Sequence, residues 1–517
     1  MDKRTILALV LSFVIIFGWS YFVAPMVNPV QPVVDNKSSS NIPAAPLASN
    51  DNTTINAVNN TSIQDNLSTN SQVVYEEELI TESSKIMDVV FNSTTGDIRS
   101  VSLKNWADTE GGFVTFNKKG FSDYARILTP VGKGYKKTVT KLDDGLLVSF
   151  TAEQGSLIIT KSYKLSNTSY LIDTNVTVSN TGTSSLNIPL TVKIGPKLGS
   201  GFEDSMYVFE GAVITNGKKT YRVAEKDDDK EMVDNAVWAG YTSKYFLFAA
   251  ASNELFKTAE ISPENKSAVS SIKTDFIVNP SSRYDAKFTL YVGPKYYEEL
   301  KSYGLSLQKS MDYGWFYFIA IPMLYILNYL YDIFHNYGIA IIILTIIVKV
   351  LTLPLTLKSM ISMKEMTKLQ PEILKLREKY KNDPAKLNQL TMELYKEHKV
   401  NPLSGCFPLL LQIPIFFALY KALLLSLELK GAPFIGWIVD LSVKDPYYIT
   451  PVLMGIAMFI QQKMTPSTAD PMQQKIFLAM PIIFTFLFIN FQSGLVLYWL
   501  TNNILAIIQQ YIINKRK

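Results

Sequence analysis

The stretch Tyr337 to Leu357, YGIAIIILTIIVKVLTLPLTL, holds one charge, Lys349, in a run that is otherwise apolar and long enough to cross a bilayer. About 20 apolar residues span the hydrocarbon core, and a charge placed within it costs roughly 2.5 to 3.5 kcal/mol on insertion scales. The chain is thereby restricted to folds that wet or pair this ammonium. Two arrangements satisfy it. The lysine stem can extend to the headgroups past the inner end of the run, eight residues away, or neighbouring helices can leave a hydrated cavity at its depth. The run alone does not choose between them.

At 517 residues, 47% of them hydrophobic and gathered in blocks, the chain is too long for one compact core and reads as a membrane protein with a separate soluble part. A net charge of +5 over this length gives no reason to expect DNA or RNA as a partner. The one cysteine, Cys406, excludes a disulfide scaffold. With histidine confined to His335 and His398, no Cys/His nucleophile pair or His/Cys metal site has credible spacing. No cofactor and no enzymatic activity are expected.

Lys3 and Arg4 precede the apolar run Thr5 to Ala24, which is longer than the core of a cleaved signal, so residues 1–24 are expected to be a transmembrane signal anchor with its N-terminus inside. Residues 25–72, rich in Asn, Ser, Thr and Pro, read as a flexible linker on the far side. From Val73 to Gly293 the pattern is one of short alternating stretches, such as Leu157 to Leu165 and Leu171 to Val178. Turn signals at Asp143-Asp144-Gly145, Asn180-Thr181-Gly182 and Asn216-Gly217 separate them, which predicts a β-sandwich of antiparallel sheets over 73–293.

After Pro294 the period becomes helical, with Tyr296, Leu300, Tyr303, Leu307 and Met311 on one stripe leading into the aromatic segment Trp315 to Phe334. Residues 294–336 are read as amphipathic and interfacial. Were Trp315 to Phe334 a span, the next crossing would place residues 358–399 outside, yet that loop has ten basic against six acidic side chains. The positive-inside rule therefore assigns a single crossing to 337–357 and lays the aromatic segment along the outer interface. Residues 358–402 are expected to form a cytosolic helical hairpin broken at Asn382-Asp383-Pro384, with Asp383 as an N-cap. Four further spans fall within 403–512, before a basic cytosolic tail at 513–517. The expected fold is a multi-pass α-helical membrane protein with six spans and an exported β-sandwich.

Gly211 to Lys219, GAVITNGKK, approaches a phosphate loop but has five residues between its glycines, and Lys219 stands where Ser or Thr should hold magnesium. It predicts a hairpin turn at Asn216-Gly217. The run Asp227, Asp228 and Asp229 reads as a solvated loop. In contrast, several spans carry polar groups at the depth of Lys349: Thr345 one turn away, then Gln412, Gln461, Gln462, Asn502, Asn503 and Gln509. Grouped around a cation, such side chains line a wet cavity, and Pro354, Pro408, Pro414 and Pro481 suit helices bent to leave one.

Five blocks sharpen that reading: Asn401 to Tyr420 (NPLSGCFPLLLQIPIFFALY), Asp445 to Tyr448 (DPYY), Phe459 to Pro466 (FIQQKMTP), Asp470 to Lys475 (DPMQQK) and Ser493 to Trp499 (SGLVLYW). With them the chain resembles, over its whole length, the YidC/Oxa/Alb membrane protein insertases of the Gram-negative type. The resemblance implies a five-helix insertase core and a groove open to cytosol and lipid. Lys349 matches the groove's positive residue, usually arginine; lysine keeps the charge and lacks the planar fork of donors. Thr345, Gln412, Gln462, Tyr498, Trp499 and Asn503 match groove residues, and Ile413 and Phe416 match the substrate slide. Implied partners are nascent integral membrane proteins, the Sec translocon with its auxiliary subunits, membrane lipid, and the ribosome through the hairpin and tail. The implied location is the Gram-negative inner membrane with both termini cytoplasmic and the sandwich periplasmic. Two other classes are weighed against this one. A secondary transporter lacks a visible inverted repeat, and a membrane-anchored carbohydrate-binding sandwich leaves the five blocks unexplained.

Overall fold

In the computed structural model the described residues lie between 77 and 515, apart from 108–110, 118–121, 197–198, 200–201, 203–207, 226, 228, 265, 381–382, 399, 401–406 and 466–470. The expected anchor 1–24, the linker 25–72, Asp228, Asn382, Cys406 and the last two tail residues lie outside them.

The alternating stretches build two antiparallel sheets. The first runs in spatial order through Leu79–Ser83, Met87–Asn92, Ile98–Ala107, Ala125–Leu128, Leu186–Ile194, Ser267–Val278, Thr258–Glu264 and Glu231–Asp234, with Phe113–Phe116 paired on its third strand. The second runs through Thr220–Ala224, Gly211–Thr215, Trp238–Thr242, Phe246–Ala251, Ser282–Pro294, Leu171–Asn180, Leu157–Ser166, Gly145–Gln154 and Lys136–Leu142. Ile159, Tyr163, Ile172, Val176 and Val178 point into one shared core, as the period of two requires. At Asp143-Asp144 the chain reverses, with Leu142 paired to Gly145. A Cβ on Gly145 would lie 1.9 Å from the Leu165 carbonyl oxygen, so glycine alone lets the two strands meet there.

Gly211–Thr215 and Thr220–Ala224 pair as a hairpin, and Asn216 Oδ1 accepts from the amides of Lys218 and Lys219 at 3.0 and 2.9 Å. A strand follows where a phosphate loop needs a helix. Trp238–Thr242 and Phe246–Ala251 are buried on both faces, because segment 296–313 covers the outside of their sheet. Trp238 Nε1 donates to the Ser306 carbonyl at 3.1 Å, fastening that segment. Leu300, Leu307 and Met311 face inward, as their stripe predicts, but one continuous helix does not form. Helix α1, Tyr297–Ser302, stops where Gly304 and Ser306 take positive φ values of 69° and 55°, and a 3₁₀ turn spans Leu307–Ser310.

The helical part follows as α2 (Tyr317–Phe334), α3 (Tyr337–Lys368), α4 (Gln370–Lys379), α5 (Pro384–Glu397), α6 (Phe407–Leu425), α7 (Ile449–Met464), α8 (Pro471–Phe488) and α9 (Ser493–Lys515). Helix α3 does not stop at Leu357 but runs unbroken for 32 residues. At 1.5 Å per residue it reaches about 48 Å, about 18 Å longer than the ~30 Å hydrocarbon core, an excess of about twelve residues that matches the polar stretch after Leu357. Past Leu357 the sequence is rich in Lys, Met and Glu, which are good helix formers, so the helix continues there. The hairpin accordingly bends twice, at Leu369 and before α5, where Asp383 accepts from the Lys386 amide at 3.1 Å.

By length and composition α2, α3 and α9 can each cross a membrane, and 410–425 and 478–488 form shorter apolar helices. Helices α7 and α8 meet at Gly455, where an added Cβ would come 2.0 Å from Thr485 Oγ1. Small residues permit this approach in membranes, where close packing replaces the hydrophobic effect between helices. Gly455→Val is expected to cost about 1 to 3 kcal/mol through overpacking. A thermal melt in detergent checks this, and an unshifted midpoint would contradict the close contact.

Candidate functional site

Helices α3 and α9 pack in one register along their length. Gly494 lies against Ile341, Lys349 Nζ donates to Asn502 Oδ1 at 3.3 Å, and Gln509 Nε2 donates to Thr356 Oγ1 at 3.0 Å. Both hydrogen-bonded pairs are 153 residues apart in sequence, and Ile341 and Gly494 share that offset. A constant offset means that the two helices run parallel. Steps of seven or eight residues are about two helical turns, so the polar groups recur along one seam.

Helix α6 closes against the same stretch of α9. Gln412 Nε2 donates to the Tyr498 hydroxyl at 2.6 Å, and one turn later the Phe416 ring meets the Trp499 ring edge-on, with centroids 4.8 Å apart. From α8, Phe484 and Phe488 bring their rings to 6.2 and 5.1 Å from the indole. Apolar rings thus hold Trp499 on both sides, as edge-to-face and offset packing favours.

Polar atoms are left over in this region. Trp499 Nε1, Asn503 Nδ2, Gln509 Oε1 and Gln510 Oε1 are buried and have no hydrogen-bond partner among the described residues. Each such group costs free energy unless water or an incoming polar segment satisfies it. Lys349 donates to a neutral amide, and among the described residues no carboxylate forms an ion pair with it. Its charge is therefore oriented but not neutralised. The following residues Val350 and Leu351, 60% and 71% exposed, present an apolar surface suited to lipid.

The residues singled out in the sequence do not all meet. Lys349, Gln412, Tyr498, Trp499 and Phe416 fall on the facing surfaces of α3, α6 and α9, Ile413 stands exposed on α6, and Asn503 is buried on α9. Thr345 is sealed: it is 1% exposed and its hydroxyl donates to the Ile341 carbonyl at 2.6 Å. Gln462 is half-buried on α7, which packs along α9, and joins none of these hydrogen bonds. The sequence places Asn502 among the polar groups at the depth of Lys349 but does not identify it as the direct partner, and it gives no sign of the rings of Phe484 and Phe488. Seven-residue spacing of polar positions, Lys349 to Thr356 and Asn502 to Gln509, was the signal available. Among the described residues no group of three His, Cys, Asp or Glu side chains could hold a metal ion.

The chain matches two families, one described as 60Kd inner membrane protein over residues 329–517 and one as YidC periplasmic domain over residues 80–326. A protein of Geotalea daltonii named membrane protein insertase YidC is 38% identical, the match covering 100% of this chain and 99% of that one. One of the same name from Syntrophus aciditrophicus is 39% identical, with 100% of each chain covered. Among solved structures, one titled as an active YidC insertase with its first transmembrane domain resolved is 20% identical, covers 86% of this chain and 94% of its own, and gives a TM-score of 0.40.

Proposed function

The chain belongs to the YidC family of membrane protein insertases, and from that membership we propose how its spans receive a substrate. The polar outer segment of a nascent membrane protein enters from the cytosol between α3, α6 and α9. Lys349, Gln412, Gln462, Tyr498, Trp499 and Asn503 line its path, with Thr345 packed behind them. The observation that carries this reading is an ammonium beside buried polar atoms, with no carboxylate on the one and no hydrogen-bond partner for the others among the described residues. Such a site reduces a desolvation cost of several kcal/mol for the segment and attracts acidic residues in it. The substrate's apolar helix then moves along Ile413 and Phe416 into lipid. Apolar transfer, worth about 25 cal/mol per Å² buried, drives release without a nucleotide.

Orientation follows from charge and register together. Because α3 and α9 run parallel, the loop with ten basic and six acidic residues lies at the same end as Lys515. The positive-inside rule puts that end in the cytosol, so the sandwich lies in the periplasm and both termini face the cytosol. Helix α2 then lies along the outer interface despite its sufficient length, since a crossing there would carry the sandwich inside. The hairpin 358–402 and tail 513–517 face the ribosome, and the sandwich faces the Sec translocon and its auxiliary subunits.

Liposomes containing the purified chain are expected to insert a short single-spanning protein that empty liposomes do not, without added nucleotide. A stalled nascent chain is expected to crosslink to photoreactive groups at positions 413, 416 and 499. Equal insertion with and without the protein would overturn the function, and crosslinks absent from all three positions would overturn the route.

A further inference from the structure

A second cluster of cations lies far from Lys349 in sequence, where the sandwich meets α6. Arg222, Lys295 and Lys421 line one small cavity with Ser310, Asp312, Val208, Phe209 and Leu425. Three cations face one carboxylate, and that carboxylate is partly engaged, since Asp312 accepts from the Gly314 amide at 3.1 Å. Glu210 lies nearby but outside the wall, accepting from the Lys244 amide at 3.4 Å.

The donors are held in place and not exhausted. Lys295, 2% exposed, uses two protons on Thr242 Oγ1 and the Ser243 carbonyl at 3.0 and 2.5 Å, which leaves the third. Arg222 Nη2 donates to the Lys309 carbonyl at 3.0 Å, while its buried Nε has no partner among the described residues. Ser310, 3% exposed, likewise has an unpartnered hydroxyl. Buried donors of this kind around excess positive charge call for an anion with several acceptor oxygens. Burial chiefly, and the Arg222 charge after it, push Lys295 down to about 7, and an anion in the cavity would favour its protonated form.

We propose that this cavity binds a phosphate group, presented by the headgroup of an acidic lipid in the outer leaflet. Its enclosed part has room for little more than a water-sized group, which suits one or two phosphate oxygens with the rest of the lipid outside. Lys421 lies four residues before the end of α6, so about 6 Å below the helix end, at headgroup depth. Trp315, Tyr317 and Phe318, which follow Asp312 closely, are 92%, 58% and 62% exposed, and exposed aromatics of this kind favour the membrane interface. The arrangement ties the sandwich to the membrane through lipid as well as through chain. This site does not depend on the substrate route described above.

Native mass spectrometry of the full-length protein, released from mixed micelles of phosphatidylglycerol and phosphatidylcholine, tests the proposal. The wild-type chain is expected to retain phosphatidylglycerol in preference, and Arg222→Gln with Lys421→Gln is expected to weaken retention by at least about tenfold, through the loss of two charge-assisted contacts. Ser310→Ala, which removes no existing hydrogen bond, should weaken it severalfold while leaving the thermal midpoint unchanged. A parallel titration uses inorganic phosphate alone, followed by ³¹P NMR. Phosphate binding that depends on the same residues, without lipid preference, would support the anion site and assign it to free phosphate. Equal lipid retention by wild type and all variants, with no residue-dependent phosphate binding, would overturn the site.

Discussion

Lys349→Ala is expected to slow insertion of a substrate with acidic residues in its outer segment by roughly thirtyfold, because a charge about 8 Å away at an effective dielectric near 20 contributes about 2 kcal/mol. The same substitution should change insertion of a substrate with a neutral outer segment much less. The difference arises because Lys349 is held by the Asn502 amide and not by a carboxylate, so its field is available to the incoming chain. Lys349→Arg should keep the rate within about threefold of wild type, since long-range attraction needs the charge and not a particular fork of donors. Insertion into liposomes with both substrates, scored by protease protection, reads all three effects. Equal slowing of acidic and neutral substrates would assign the lysine to packing, and no slowing of either would remove it from the mechanism.

Lys349 and the polar side chains around it were legible because membrane interiors penalise them individually: each stands out against an apolar run. What they touch was not legible. The pairing of Lys349 with Asn502 depends on the register of two helices that are 153 residues apart in sequence, and hydropathy holds no information about register. Thr345 shows the converse, since a hydroxyl at the right depth can be consumed by its own helix, one turn back. In the sandwich, strands such as Leu171–Asn180 were readable from their period of two. Trp238–Thr242 and Phe246–Ala251, buried on both faces by segment 296–313, lack that period. The stripe through Leu300, Leu307 and Met311 told which side chains are buried but not that Gly304 and Ser306 would interrupt the helix, because left-handed backbone is compatible with the same stripe. The long continuation of α3 past Leu357 follows from local helix propensity, which outlasts the hydrophobic run used to place its end.

Asp445→Ala is expected to destabilise the helical part by about 3 kcal/mol, which is large for one side chain. Asp445 is fully buried in the loop between α6 and α7 and accepts four hydrogen bonds: from Thr450 N and Oγ1, both at 2.7 Å, from Tyr447 N at 3.0 Å, and from Trp437 Nε1 at 3.1 Å. Alanine would leave these donors without an acceptor. The same loop seats the start of α9, where the amides of Ser493 and Gly494 donate to the carbonyls of Val443 and Leu441 at 2.7 and 3.0 Å. Loosening it displaces Tyr498, Trp499 and Asn502 together, so slower insertion should accompany the lower stability. Burial opposes the charged form of Asp445, but the amide and hydroxyl of Thr450, the amide of Tyr447 and the indole of Trp437 outweigh it and hold the carboxyl below its ordinary value. A carboxyl whose folded pKa lies below its unfolded one, about 3.9, stabilises the fold above that pH, and the contribution is lost as pH falls through the folded value. The stability gap between wild type and Asp445→Ala, measured by thermal unfolding in detergent, should therefore be widest near neutral pH and narrow below about pH 4. A gap that persists unchanged into acid would mean that the carboxyl acts through its shape and not its charge. No gap at all would mean that the four hydrogen bonds do not hold the loop.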